Sequence, residues 1–375
     1  MKKIAILNQD SGYLMIDLAN AFHEAGYRVT LVAGRVVVRD KPLNQNVKWL
    51  KVIKYNRSST LKRLVTWLVG FIQMLWLTIF KLRNHKLLIV SNPPFATLLP
   101  LLIRRKFELL IYDIYPDALY EMGIFSKSSL LVKLWQNANV KVFRKAERVI
   151  TISDGMKRVL CNYTTEHKIR VIPVWTDNTF LKPIPKEKNP FIKEHNLQHK
   201  FIVLYSGNLG KSHDVEVIPE LAKRTTDVDI LFVIIGEGDK KKLIQSKIAE
   251  YKLQNLLMLP FQPASSLPFS LASADIAIVT LGKDASKLSV PSKTYNLMSV
   301  GAIILAVASH DSEISQLIKQ HEFGDFFQSH EISEILQFID HVKNDTDLNA
   351  RLKSNSLNAS SLFGAENVNR FIYPA

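Results

Sequence analysis

Val290-Pro-Ser-Lys-Thr-Tyr-Asn-Leu-Met-Ser-Val-Gly301 lies between two apolar runs, Ala274 to Leu281 before it and Ala302 to Ala308 after it. It reads as the crossover of a parallel α/β unit: a strand, a polar loop, a helix stopped at Gly301, and a second strand. The start of such a helix turns unpaired N–H groups toward whatever binds there. With Lys293 in the first turn, the setting suits an anion.

The same alternation runs outward from this unit. Phe201 to Tyr205, Ile230 to Ile235 and Leu256 to Leu259 precede it, and Ile276 to Thr280 and Ile303 to Val307 flank it. Beyond a loop rich in Lys, Pro and Asn (Lys182 to Asn189) the pattern repeats at Ile4 to Leu7, Val29 to Val32, Val47 to Tyr55, Leu87 to Val90, Leu109 to Tyr112, Val149 to Ile152 and Ile169 to Val174. Continuous β-branched runs separated by helical stretches indicate parallel sheets covered on both faces. The expected fold class is α/β, with two Rossmann-like doubly wound domains facing across a cleft. The boundaries expected are 1–178, 190–355, and a C-terminal helix over 356–375 returning toward the first domain.

Of the 375 residues, 47% are hydrophobic and 22% charged, a globular composition that excludes disordered and collagen-like classes. The net charge of +15 is uneven: residues 1–175 hold 28 Lys+Arg against 11 Asp+Glu, and the remainder 21 against 23. The first half therefore wants an anionic partner, whether nucleic acid, acidic lipid headgroups or a pyrophosphate-bearing substrate. No module interleaving aromatic with basic residues appears, which speaks against nucleic acid. The single cysteine, Cys161, reads as a small buried hydrophobe, and the strand-like N-terminus lacks a cleavable apolar region, so a reducing, cytoplasmic setting is expected.

Leu64 to Phe80 is 17 residues without a charge, bracketed by Lys62, Arg63, Lys81 and Arg83. As a helix it measures about 26 Å against a hydrocarbon core of about 30 Å. A single span would also split one sheet between the two sides of a bilayer. Lys62, Thr66, Gly70, Gln73 and Lys81 form a narrow stripe, and the wide apolar face is expected to cover the sheet while leaving Trp and Leu for a membrane interface. Phe95 to Lys106 repeats the apolar body and basic end. Together the two segments predict peripheral attachment to an anionic membrane surface, the inner face of the cell membrane.

Several turns are suited to phosphate chemistry. In Tyr205-Ser-Gly-Asn-Leu-Gly-Lys-Ser-His213, Gly207, Asn208 and Gly210 allow close backbone approach and Lys211 adds charge, ahead of a helix beginning near Asp214. His213 reads as a helix-start residue. Gly236 and Glu237 form a second turn, with Glu237 a candidate for a ribose and Asp239 a helix cap. Phe261, in Leu259-Pro-Phe-Gln-Pro263, sits where a loop can meet a base. Ser292, Lys293 and Thr294 complete the donor side. Neither an Asp-x-Asp pair nor a His/Cys cluster appears at ligand spacing, so no metal and no cofactor are expected, and the site fits a nucleotide diphosphate leaving group. On the first domain, Asp113 and Asp117 follow a strand, where Asp113 can orient an attacking hydroxyl or act as a local cap. Asp10, Ser11, Gly12 and Asn92 border the same edge.

Taken in order, Tyr205-Ser-Gly-Asn-Leu-Gly-Lys, Ile235-Gly-Glu-Gly, Leu259-Pro-Phe, Ala274-Asp-Ile-Ala, Val290-Pro-Ser-Lys-x-Tyr and Met298-Ser-Val-Gly301 resemble family 4 of the retaining nucleotide-sugar glycosyltransferases, in particular the branch that builds bacterial capsule, O-antigen and exopolysaccharide. Ser91-Asn-Pro-Pro94 and Asp113-Ile-Tyr-Pro-Asp117 resemble first-domain motifs of that branch. The resemblance implies the GT-B fold, a donor held by the second domain and a lipid-linked saccharide acceptor held by the first. It further implies transfer of a hexosyl or N-acetylhexosaminyl group from a UDP-sugar rather than a GDP-sugar. Lys211 and Lys293 would clamp the pyrophosphate, with Asp113 beside them in catalysis. Many members carry two Glu eight residues apart before the final Gly, whereas Leu288 and Asn296 stand there in this sequence. Rival readings are a nucleotide-sugar 2-epimerase of similar architecture and a non-enzymatic basic protein binding nucleic acid or membrane.

Overall fold

The computed structural model describes every residue except 57, 122–125, 127, 283–287, 289 and 373–375. It divides into two compact units, Met1–Val174 with Glu366–Ala375, and Trp175–Ala365. The chain thus returns to the first unit at Glu366, not at 356. The loop Lys182 to Asn189 is an integral part of the second unit: Lys186 reaches Asp275 at 2.5 Å, and the same carboxylate accepts from Ile202 N at 2.9 Å.

In the first unit, β1 (Lys3–Leu7), β2 (Arg28–Ala33), β3 (Lys48–Lys51), β4 (Lys86–Val90), β5 (Phe107–Ile111), β6 (Val149–Thr151) and β7 (Ile169–Val171) form one parallel sheet in the order β3-β2-β1-β4-β5-β6-β7. In the second, β8 (Phe201–Ser206), β9 (Ile230–Ile235), β10 (Leu256–Leu259), β11 (Ile276–Thr280), β12 (Ile303–Val307) and β13 (Gly324–Phe327) are ordered β10-β9-β8-β11-β12-β13. Both are doubly wound α/β sheets whose order reverses beside the first strand, and ligands of this fold sit at the carboxyl ends of the strands flanking the reversal. Central strands such as β9 and β12 are buried along their whole length, which is why they are unbroken apolar runs.

The crossover helix Thr60–Phe80 links β3 to β4 of the same sheet. By length and composition it could cross a membrane, but both its ends are tied into that one sheet. Its orientation reverses the expectation from sequence. The face turned inward is the small, polar one: Thr66, Gly70, Met74 and Thr78 are buried. The Gln9 side chain, just after β1, donates to Thr66 O at 2.7 Å and to Ile53 O at 3.1 Å. A Cβ at Gly70 would lie 2.5 Å from that amide nitrogen, so a larger residue there would push the Gln9 amide off its two carbonyls. The bulky residues point out, with Leu68 at 54%, Ile72 at 55% and Trp76 at 49% exposure. Phe95 to Lys106 is likewise not a full helix. A 3₁₀ segment covers Pro94–Leu101, with Pro100 inside it, and the basic residues follow in irregular chain.

Cys161 is exposed rather than buried. It caps the short helix Asp154–Leu160, whose inward residues are Met156 and Leu160.

Candidate functional site

In the second unit the site grows from the carboxyl ends of β8 and β11. Two turns interlock there: Gly207 N donates to Ile235 O at 2.9 Å and Leu209 N to Glu237 O at 2.8 Å. A Cβ at Gly236 would fall 2.0 Å from Gly207 O, so the contact between the turns demands glycine. Helix Val217–Arg224 begins later than its expected start near Asp214. Tertiary bonds hold the intervening chain in a turn: Lys240 Nζ donates to His213 O at 2.7 Å, and Gly282 N to Ser212 O at 2.9 Å. Nor does Asp239 cap the next helix, Lys241–Tyr251; its flanking residue is Lys240, and Asp239 lies in the exposed turn before it. Glu237 is engaged by Lys241 at 2.8 and 3.0 Å.

Lys293 is the central feature. It enters from the first turn of helix Ser292–Ser299, which ends ahead of Gly301 at φ +78°. Its ammonium nitrogen is buried and has no hydrogen-bond partner. It rests 3.9 Å from the centroid of the Tyr205 ring, and a Cβ on Gly207 would stand 3.4 Å from it. Loss of solvent pushes its pKa down to about 7. The Tyr205 hydroxyl donates to Asn208 O at 2.7 Å, fixing the ring beneath the cation. His213 Nδ1 lies 3.0 Å from Thr280 O, so this nitrogen carries the proton, and burial first, then the charges of Lys293 and Lys240, keep the imidazole neutral. The Thr294 hydroxyl is also buried without a partner. A buried cation without a partner is an arrangement that can receive an anion.

The remaining donor-side residues are placed differently. Lys211 and Ser292 are exposed. Lys211 borders a groove with Asp214, Glu216, Glu220 and Arg224, along helix Val217–Arg224, and is not packed into the Lys293 cluster. Gly210 is buried in the turn and Phe261 projects from the loop after β10 at 54% exposure. Asn296 accepts from Thr176 Oγ1 at 2.7 Å, an internal structural bond. Leu288 is half-buried in a turn ahead of the helix. Tyr205, His213 and Thr280 were not marked by the sequence as site residues.

In the first unit, Asp10 to Gly12 follow β1, Asn92 follows β4, and Asp113 follows β5, all at the carboxyl edge. Arg35 grips Asp10 through two nitrogens at 2.6 and 2.7 Å, and Ser11 is buried against Asn8. Gly12 faces open space. Asn92 O accepts from Gln9 N at 2.9 Å. Ser91 Oγ accepts from the backbone N–H of Tyr112 and of Asp113, at 3.0 and 3.2 Å, which presents the Asp113 side chain. Its tip reaches solvent, yet the surrounding protein raises its pKa above the ordinary carboxylate range by desolvation. Asp117, by contrast, is buried and taken by the Tyr163 hydroxyl, so it anchors the fold. Among the described residues no group of three or more His, Cys, Asp or Glu side chains gathers as a metal site would require.

Residues 186–358, which include the whole Lys293 cluster, match the family Glycosyl transferases group 1. This stretch is similar to the group 1 glycosyl transferase domains. The chain is 27% identical over 242 residues to the probable glycosyltransferase WbjE of Pseudomonas aeruginosa, covering 64% of this chain and 60% of that protein. It is 32% identical over 119 residues to the putative colanic acid biosynthesis glycosyl transferase WcaI of Escherichia coli, covering 32% of this chain and 29% of that protein. The chain thus spans less than two thirds of these relatives. A solved structure of Anabaena Alr3699/HepE in complex with UDP-glucose superimposes at a TM-score of 0.74 with 16% identity, over 99% of this chain and 98% of that one. The likeness establishes the GT-B fold, and the stretch that matches group 1 covers the second of its two sheets.

Proposed function

We propose that the protein is a retaining glycosyltransferase of bacterial surface polysaccharide synthesis. It moves a hexosyl or N-acetylhexosaminyl group from a UDP-sugar to a lipid-linked saccharide, without a metal. The observation that carries this reading is the buried, partnerless ammonium of Lys293 over Tyr205, inside the stretch that matches the group 1 family. In the reaction, the bond from the anomeric carbon to the distal phosphate oxygen breaks, and negative charge collects on the departing nucleotide diphosphate. Lys293 stabilises that charge, with the backbone of the Gly207 turn beside it. Phe261 receives the base and Lys211 adds an outer cation. The acceptor hydroxyl forms the new bond to the anomeric carbon, and its proton passes to the departing phosphate oxygen. The HepE complex with UDP-glucose supports a uracil donor.

The exposed face of helix Thr60–Phe80, flanked by Lys62, Arg63, Lys81 and Arg83, supports peripheral attachment to anionic lipid on the cytoplasmic side. Thermal-shift screening against nucleotide diphosphates and their sugars tests the donor assignment. Stabilisation by UDP-sugars that vanishes in Lys293→Ala is expected; an unmoved transition with every nucleotide sugar would refute it.

A further inference from the structure

The amino edge of the first sheet lies at the opposite end of the strands from Asp10, Asn92 and Asp113, and it is charged on both faces. On one face the charges are matched. Lys86 meets Glu108 at 2.8 Å and Glu147 at 2.9 Å, Lys106 meets Glu147 at 3.5 Å, and Arg148 meets Glu108 at 2.6 Å. The other face holds Arg28, Lys3, His85 and Arg105. Lys3 and Arg28 are partners across β1 and β2, and His85 stands beside Lys3, one residue ahead of the pair Ile4 and Lys86 of β1 and β4. Parallel partners at one register turn their side chains to the same face. The imidazole agrees: its Nε2 lies 3.4 Å from Thr30 Oγ1, two residues beyond Arg28 on β2. Arg105, just ahead of β5, comes to the same place through its side chain. Its Nη1 donates to Leu82 O at 2.6 Å, the carbonyl that also accepts from His85 N at 3.0 Å.

No carboxylate enters this group. Among the described residues none of Lys3, Arg28 and Arg105 pairs with one, and burial, then the charges of Lys3, Arg105 and Arg28, hold the His85 imidazole below its ordinary pKa. Capping of helix Thr60–Phe80 explains part of the arrangement, since Arg83 Nε also donates there, to Ile79 O at 2.9 Å. A helix end, however, presents about half a negative charge, against four formal cations in Lys3, Arg28, Arg83 and Arg105. Like charges at strand spacing repel, so this face is destabilised until an anion answers it. From β2 to β5 the row covers three spacings of about 4.8 Å, wide enough for an anion with several oxygens. Guanidinium forks at its two ends match phosphate oxygens, and a phosphomonoester or diphosphate brings more charge than one carboxylate.

We propose that Arg28, Lys3, His85 and Arg105 form a binding site for a phosphomonoester or diphosphate group at the amino edge of the first sheet. The site stands apart from the substrate edge and does not rest on the transferase reading.

The test uses the full chain carrying Lys293→Met, so that the Lys293 site does not compete, with sodium pyrophosphate as the probe and ionic strength held constant with sodium chloride. Calorimetry should record one pyrophosphate bound. Adding Arg28→Gln or Lys3→Gln should weaken it by about tenfold to a hundredfold, as for loss of one charged hydrogen bond, without lowering the thermal transition of the unliganded protein. In the Lys293→Met parent, the His85 ring resonance should titrate at higher pH with pyrophosphate than without it, a shift that a diffuse ion atmosphere of equal strength does not produce. Phosphatidic acid vesicles separate the two sources of phosphate. Co-sedimentation that falls in Arg28→Gln and is displaced by pyrophosphate makes the ligand a lipid headgroup, and co-sedimentation indifferent to both makes it a soluble phosphate; either result keeps the site. The site is overturned if pyrophosphate binds no better than chloride, or if Arg28→Gln and Lys3→Gln both leave its affinity unchanged. It is equally overturned if pyrophosphate binds wild type but not Lys293→Met, which would place the probe in the second unit.

Discussion

Replacing Lys293 by Met should make the protein more stable and unable to hold its donor. The ammonium is desolvated enough to lower its pKa from 10.5 to about 7. At about 1.4 kcal/mol per unit this is a ceiling of about 5 kcal/mol of strain against the charged form. Exchange of a buried charge for a well-packed apolar side chain recovers about 1–4 kcal/mol in practice, and the stacking on Tyr205 offsets part of the strain. The sign follows from proton binding. The unfolded chain protonates this lysine below about pH 10.4, the folded one only below about pH 7, so wild-type stability falls as pH drops across that window and levels off beneath it. Lys293→Met lacks that loss. Urea unfolding of both proteins at pH 10, 8.5 and 7 should show a stability gap that is smallest at pH 10 and widens by about 1–4 kcal/mol toward pH 7. Calorimetry at pH 7 should show UDP-glucose binding only to wild type. An equal gap at pH 10 and pH 7, or retained donor binding by the variant, would falsify the assignment of Lys293 as a strained anion receptor.

Three further outcomes follow from the same geometry. UDP-sugar affinity should fall about five- to tenfold from pH 7 to pH 8, because the empty site must protonate Lys293 before a diphosphate is bound, and calorimetry in buffers of different ionisation enthalpy should record proton uptake; pH-independent affinity would contradict this. Gly70→Ala, which in an open helix gains up to about 1 kcal/mol, should instead lose about 1–3 kcal/mol in chemical denaturation, since the new methyl displaces the Gln9 amide from its two carbonyls. Leu68→Glu with Trp76→Glu should abolish co-sedimentation with anionic vesicles while leaving the thermal transition within a few degrees, because both side chains are exposed; vesicle binding that survives would move the membrane contact elsewhere.

The sheets were legible because parallel strands buried on both faces are continuous apolar runs; Ile230–Ile235, Leu256–Leu259, Ile276–Thr280 and Ile303–Val307 are where their patterns put them. Gly324–Phe327 escaped notice, being four half-buried residues that open with Gly and Asp. Amphipathicity located the stripe on helix Thr60–Phe80 but not its direction, since periodicity shows that two faces differ without saying which one packs. Gln9, some fifty residues upstream, decides that. For the site, Lys293 stood out as a cation at a helix start. Its burial against Tyr205 was hidden, as the two residues lie far apart in sequence and meet only across adjacent strands β8 and β11. Asp117 looked as available as Asp113 until Tyr163 was found on it. Cys161 misled because small thiols are usually interior and a helix cap is not.

Gln9 joins four pieces of chain at one point: its N–H to Asn92 O, its carbonyl to Gly34 N, and its amide to Ile53 O and Thr66 O. The outer helix is therefore bolted, not greased, to the loop that carries Asp10, Ser11 and Gly12. Any tilt imposed on that helix from outside arrives at the loop as displacement rather than being absorbed by sliding methyl groups. If the helix seats on a membrane and the loop borders the acceptor, as proposed above, the two would move as a single mechanical unit.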